Sequence, residues 1–101
     1  MARKQETRSF ERVSPDDVFE ASQVAFKQLG MEVWKLRSIA WLSQARINEG
    51  PELINANMMA RPGAKTEVTL TVSGENAAQE AINTLFEQIF SALEIALSKK
   101  K

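Results

Sequence analysis

Cysteine, histidine and tyrosine are all missing from this 101-residue chain. Without cysteine there is no disulfide, no thiolate nucleophile and no zinc–thiolate site. Without histidine the commonest general base and the commonest transition-metal ligand are gone. Only Asp, Glu, Lys, Arg, Ser and Thr remain for catalysis. The carboxylate pairs Asp16–Asp17 and Glu49–Glu52 fall at a helix start and in a turn, where solvated roles are the commoner ones. No glycine-rich phosphate loop or nucleophile motif is present. The expectation is a protein that is not an enzyme and holds no cofactor or metal.

Long apolar runs are also lacking, so no segment reads as a membrane span. No charged-then-apolar leader opens the chain, so no secretory signal is expected in it. The location expected is cytoplasmic for the chain as it stands, or envelope-associated if a signal or anchor has been removed. Hydrophobic residues make up 44% and charged residues 26%, enough for one small core.

The thirteen bases and thirteen acids cancel overall but not locally. Arg3, Lys4, Arg8, Arg12 and the terminal lysines make the ends basic. Between residues 13 and 98 there are six bases against eleven acids. A body of that sign should repel phosphate backbones unless its bases cluster on one face.

Residues 1–7 are polar and aperiodic and read as a disordered tail; residues 98–101 read as a frayed basic tail. A single α+β domain is expected over 8–97. "TRSFERV" reads as a first, edge strand. "SPDDVFEASQVAFKQLG" is a helix with Ser14 at the N-cap, Pro15 in the first turn, and Asp16 and Asp17 at the positive end of the dipole. Asp17 stands where a capping box needs its acceptor, and Gly30 ends the helix.

"MEVWKLRSIAWLSQARI" (residues 31–47) holds both tryptophans. As a helix it would be apolar nearly all round, which a domain this small can hardly bury. It therefore reads as a hairpin, with Trp34 and Leu36 facing in and Lys35 and Arg37 facing out. In the second strand Trp41, Ser43, Ala45 and Ile47 share one face, and Leu42, Gln44 and Arg46 the other. The turn falls at Ser38–Ile39, without Gly, Asn or Pro.

"ELINANMMAR" alternates, with Ile54, Ala56, Met58 and Ala60 on one face. "TEVTLTVSG" is the plainest strand, Val68, Leu70 and Val72 facing in. A long helix of about 20 residues follows, its cap expected at Asn76 with Gln79 in the third position. The order is β-α-β-β-β-β-α: a curved antiparallel sheet of about five strands with both helices on one face.

This succession resembles the helix-grip (START-like, Bet v 1-like) families, and also short uncharacterised bacterial domains of the same layout. The opening "SPDDVF" of the first helix carries the likeness best, and the pattern covers residues 8–97. The resemblance implies a ligand cavity between sheet and C-terminal helix. This chain is shorter than full helix-grip domains, which have more strands and a larger cavity. The same element order also resembles one half of the TATA-binding protein saddle.

Two surfaces are candidates for function. Small residues on the inner sheet face suggest an apolar pocket under the last helix, lined by Trp34, Trp41, Ala56, Met58, Phe86 and Phe90; its ligand would be small and apolar. Close packing is the simpler reading of the same residues. The second sheet face would present Val33, Lys35, Leu42, Arg46, Asn55, Asn57 and Met59, with Met31 and Leu53 beside them. An apolar patch with a polar rim suits a protein partner or a homodimer. The function expected is a non-enzymatic binding or protein-interaction domain acting through that face or that pocket. The alternative is a nucleic-acid-binding sheet face. It is the lesser reading, because the body is acidic and no aromatic side chain is placed there for stacking.

Overall fold

The structure, a computed structural model, describes residues 1–99 apart from the side chain of Glu49. Its elements are β1 (Ala2–Phe10), α1 (Pro15–Gln28), β2 (Glu32–Arg37), β3 (Leu42–Glu49), β4 (Glu52–Arg61), β5 (Thr66–Gly74) and α2 (Gln79–Ser98). The strands form one antiparallel sheet in the order β1-β5-β4-β3-β2. Both helices pack side by side on one face, α2 over β1 and β5, α1 over β4, β3 and β2. No helix of the described residues is long and apolar enough to cross a membrane.

α1 starts as its sequence dictates. Ser14 Oγ accepts from the Asp17 backbone N–H at 3.1 Å, and Asp17 Oδ2 accepts from the Ser14 N–H at 3.0 Å. This reciprocal box satisfies two otherwise orphaned donors. Gly30 follows the helix with φ of 75°, the left-handed conformation that glycine adopts without strain. α2 differs from expectation at its start. Its N-cap is Ala78, with no side-chain cap. Asn76 lies outside the helix, and Gln79 bonds instead to the Arg3 carbonyl and to Asn83. Gly74 lets this turn close: a Cβ there would stand 2.8 Å from the Cβ of Ala77.

The run from Met31 to Ile47 is a hairpin, as its apolar distribution predicts. Its connection is longer than two residues. Ser38–Ala40 form a 3-10 turn, and Trp41 closes it at φ 48°. A left-handed non-glycine residue costs roughly 1–2 kcal/mol. Trp41 is held there by bonds at both ends. Its N–H donates to the Ser38 carbonyl, its carbonyl accepts from Ala60 N–H at 3.1 Å, and its indole donates to Asp16 Oδ1 at 2.8 Å. Trp41 is thus a corner residue rather than a strand residue.

β1 begins at Ala2, so the stretch expected as a tail is most of an edge strand paired along its length with β5. Its inner side explains this. Lys4 and Arg8 lay cations over the rings of Phe86 and Phe90, at 4.7 and 4.1 Å from the ring centroids. Their charged ends meet Glu87 on α2 at 3.2 Å each. The aliphatic stems do the covering work that apolar residues would do elsewhere. At the other end, Ser98 closes α2 and Lys99 caps it, while Lys100 and Lys101 lie outside the described residues.

The core lies between sheet and helices, with Phe26, Phe86, Phe90, Ile54, Met58 and Leu70 its largest fully buried members. Each such side chain contributes about 1.5–3 kcal/mol by leaving water. Small residues on β3 and β4 (Ser43, Ala45, Ala56, Ala60) let α1 come close. Ser22 of α1 reaches Ser43 of β3 directly, Oγ to Oγ at 2.7 Å.

Candidate functional site

The registers of the four strand pairs set three rows of side chains across the uncovered face of the sheet. One row runs Glu32, Arg46, Asn55, Ser73, Arg3. The next runs Lys35, Gln44, Asn57, Thr71, Gln5. The third runs Arg37, Leu42, Met59, Thr69, Thr7. Each row crosses five strands, about 19 Å at the usual strand spacing.

Some neighbours within the second and third rows are hydrogen-bonded to one another. Gln44 Nε2 donates to Asn57 Oδ1 at 3.4 Å, Thr71 Oγ1 donates to Gln5 Oε1 at 2.9 Å, and the hydroxyls of Thr7 and Thr69 meet at 2.8 Å. Such bonds fix the direction in which the amides of Gln44, Asn57 and Gln5 point, so that part of the face is organised before anything binds.

Trp34 joins this face through a break in the ladder. Val33 pairs with Ala45, but Lys35 pairs with Gln44, so Trp34 is the extra residue of a β-bulge. Trp34 is 46% exposed and walls a hollow of about 340 Å³ with Gln44, Asn55, Asn57, Thr71 and Ser73. The Arg46 guanidinium stands 5.5 Å from the ring, and Glu32 holds Arg46 at 2.6 Å. Edge-strand bulges commonly re-aim a side chain in this manner.

Charge is divided between the two sides of the molecule. The three rows carry Arg3, Lys35, Arg37 and Arg46 against one acid, Glu32. Among the described residues no carboxylate lies within 4.0 Å of the charged nitrogens of Arg3, Lys35 or Arg37. The helices, by contrast, hold Asp16, Asp17, Glu20, Glu80, Glu87 and Glu94 against Lys27. The balanced total therefore conceals a basic set of rows on the sheet and an acidic helix layer.

Of the residues expected on this face, Lys35, Leu42, Arg46, Asn55, Asn57 and Met59 are brought together there. Val33 is not: it packs against the core, and Met31 is buried in it. Both sit before the bulge, in phase with the inner side of β3. The expected apolar pocket is also redistributed. Ala56, Met58, Phe86 and Phe90 are fully buried and close-packed, Trp41 lies partly buried at the corner, and Trp34 is on the opposite face. These six residues do not line a common cavity.

Sequence reading missed Trp34, Arg3, Gln5, Thr7 and Ser73 as members of the face. The apolar alternation Met31–Val33 was the available signal for Trp34. Carried one step further it places the indole outside, whereas starting the alternation at Trp34 placed it inside.

A larger and shallower hollow, about 800 Å³, opens on the outer side of the helices between Gln28, Leu29, Thr84, Gln88 and Ile95. Its lining has no aromatic ring, and its one charged residue, Glu87, is paired with Lys4 and Arg8. The pair Lys4 and Arg8 with Glu87 beside it is a structural clasp. Hydrogen bonds from Lys4 and then Arg8 hold the Glu87 carboxyl below its ordinary range. Burial opposes the charge of Arg8, but its bonds to Glu87 and Glu6 outweigh that and raise its pKa.

No protein-family model matches this chain, and no curated protein sequence does. Solved structures match over nearly the whole chain. Ara h 8.0201 aligns with a TM-score of 0.65 at 11% identity, covering 96% of this chain and 97% of that one. The fold is a helix-grip fold. A protein of Nitrosospira multiformis, a structural genomics target, aligns at 0.59 with 16% identity over 90% of this chain and 92% of its own. The protein TTHA0849 of Thermus thermophilus aligns at 0.53 with 14% identity over 98% of this chain and 99% of its own. At these identities the likeness is one of fold. This helix-grip chain closes its helices onto the sheet and leaves the other sheet face open.

Proposed function

We propose that this chain is a non-catalytic binding domain whose working surface is the open face of the sheet. The observation that carries this reading is the bulge that turns Trp34 out over a hollow of amides and hydroxyls. An exposed indole beside pre-oriented hydrogen-bonding groups is a recognition surface, since it offers apolar area and directional contacts together. The lining residues Gln44, Asn55, Asn57, Thr71 and Ser73 do not titrate near neutral pH, which suits holding a ligand rather than moving protons.

Fluorescence of Trp34 in a Trp41→Phe background tests this. The probes are a single-stranded oligodeoxythymidine, a neutral glucan oligosaccharide and an acidic peptide, with dilution of the protein alone as the test for a second copy. A saturable change with any probe, or a concentration-dependent change paralleled by mass, supports the open face. A flat response to all four overturns it.

A further inference from the structure

Resting on that reading, we infer that the ligand of the open face is single-stranded nucleic acid, with a base against Trp34 and phosphates on the flanking cations. Three observations carry this. Trp34 is exposed on the sheet and offers a stacking platform, which any base can use. Asn55, Asn57 and Gln44 stand beside it, and a carboxamide presents a donor and an acceptor side by side, the pairing that base edges require. Lys35 and Arg37 on one flank and Arg3 on the other are cations without carboxylate partners among the described residues.

Charge complementarity selects this occupant over the others. Six of the thirteen acids are carried on the helices, behind the sheet, and the three rows themselves hold only Glu32, which is paired with Arg46. A neutral oligosaccharide would use the indole and the amides but has no need of the cations. A second copy of this chain would set two faces of the same net positive charge together. A duplex keeps its bases stacked within and would leave Trp34 unused, so the single strand is the form that engages all three features.

The test is fluorescence anisotropy of a labelled oligodeoxythymidine of about 12 nucleotides, a length within the range of single-strand sites. Binding should weaken linearly in log–log plots against salt. Trp34→Ala should weaken it about tenfold or more, and Trp34→Phe should restore part of the loss. Lys35→Glu with Arg37→Glu should also weaken it and flatten the salt slope, by about 0.7 for each phosphate no longer neutralised. Thermal unfolding of each variant confirms that it is folded; if the Trp34→Ala protein is not, the Lys35–Arg37 variant and Asn57→Ala carry the test.

Binding unaffected by all these substitutions would mean simple attraction to a basic terminus and would overturn the inference. A Trp34 response to the glucan or the peptide, without one to the oligonucleotide, would overturn it too while leaving the binding face standing. So would a dimer dispersed by Leu42→Lys. Silence toward every probe from a monomer would remove both.

Discussion

The hydroxyls of Ser22 and Ser43 meet at 2.7 Å inside the contact between α1 and β3, each residue 1% exposed. Ser22 also donates to the Phe19 carbonyl at 2.7 Å. A hydroxyl has one proton, so Ser43 must be the donor to Ser22. Removing the two partners should therefore have unequal effects. Ser22→Ala strands a buried donor and should cost about 1–3 kcal/mol, whereas Ser43→Ala leaves an unused lone pair and should cost about 1 kcal/mol or less. Urea unfolding of the two variants and of the double variant measures the difference.

Ala56 distinguishes a packed interior from a ligand cavity. It is buried beneath α1, with Ala45 and Val72 opposite it on the neighbouring strands. Ala56→Leu should overpack the core and destabilise the fold by about 1–3 kcal/mol, without stabilisation from a filled void. Chemical denaturation reads this directly. A gain in stability would reveal empty space there.

Trp34 should matter little to folding. A core tryptophan replaced by alanine costs about 3–5 kcal/mol. Trp34 stands on the open face and is half-exposed, so Trp34→Ala should cost about 1 kcal/mol or less, while Phe90→Ala should show the full core penalty. Paired melting curves of the two variants separate the cases.

The Lys4–Arg8–Glu87 clasp gives a pH dependence with a definite sign. Glu87 has a lowered carboxyl pKa in the folded chain, first through Lys4 and then through Arg8. Its stabilisation is complete above the ordinary glutamate range, near pH 4.3, and is lost as pH falls through the lowered folded value. The clasp is solvent-exposed, so salt should weaken it. Glu87→Gln should lower the melting temperature slightly at pH 7, and by progressively less as pH falls below the ordinary glutamate range. A loss that does not diminish with falling pH would contradict the ion-pair origin.

Most of the architecture was legible in the chain because its signals are local. The Ser14–Asp17 box, the alternation of Val68, Leu70 and Val72, and the stripe from Ile82 to Leu97 each state their own structure. Two features were hidden because they depend on partners distant in sequence. β1 carries no apolar residue between Ala2 and Phe10, and it is a strand because Lys4 and Arg8 find Phe86, Phe90 and Glu87 on α2. The bulge at Trp34 shifts every later residue of β2 by one position, and a period of two cannot announce its own interruption. The site suffered most from that shift, since Trp34 was its missing aromatic member. The clustering of bases was likewise invisible until the sheet registers set Arg3, Lys35, Arg37 and Arg46 on one side.

The most direct measurement is amide chemical-shift mapping of the labelled protein as single-stranded oligodeoxythymidine is added. A binding face on the open sheet predicts shifts along Lys35, Gln44, Asn57, Thr71 and Gln5 and at the Trp34 indole, with α1 and α2 quiet. Shifts confined to the helix groove around Gln28, Thr84 and Ser91, with the sheet rows unmoved, would contradict it.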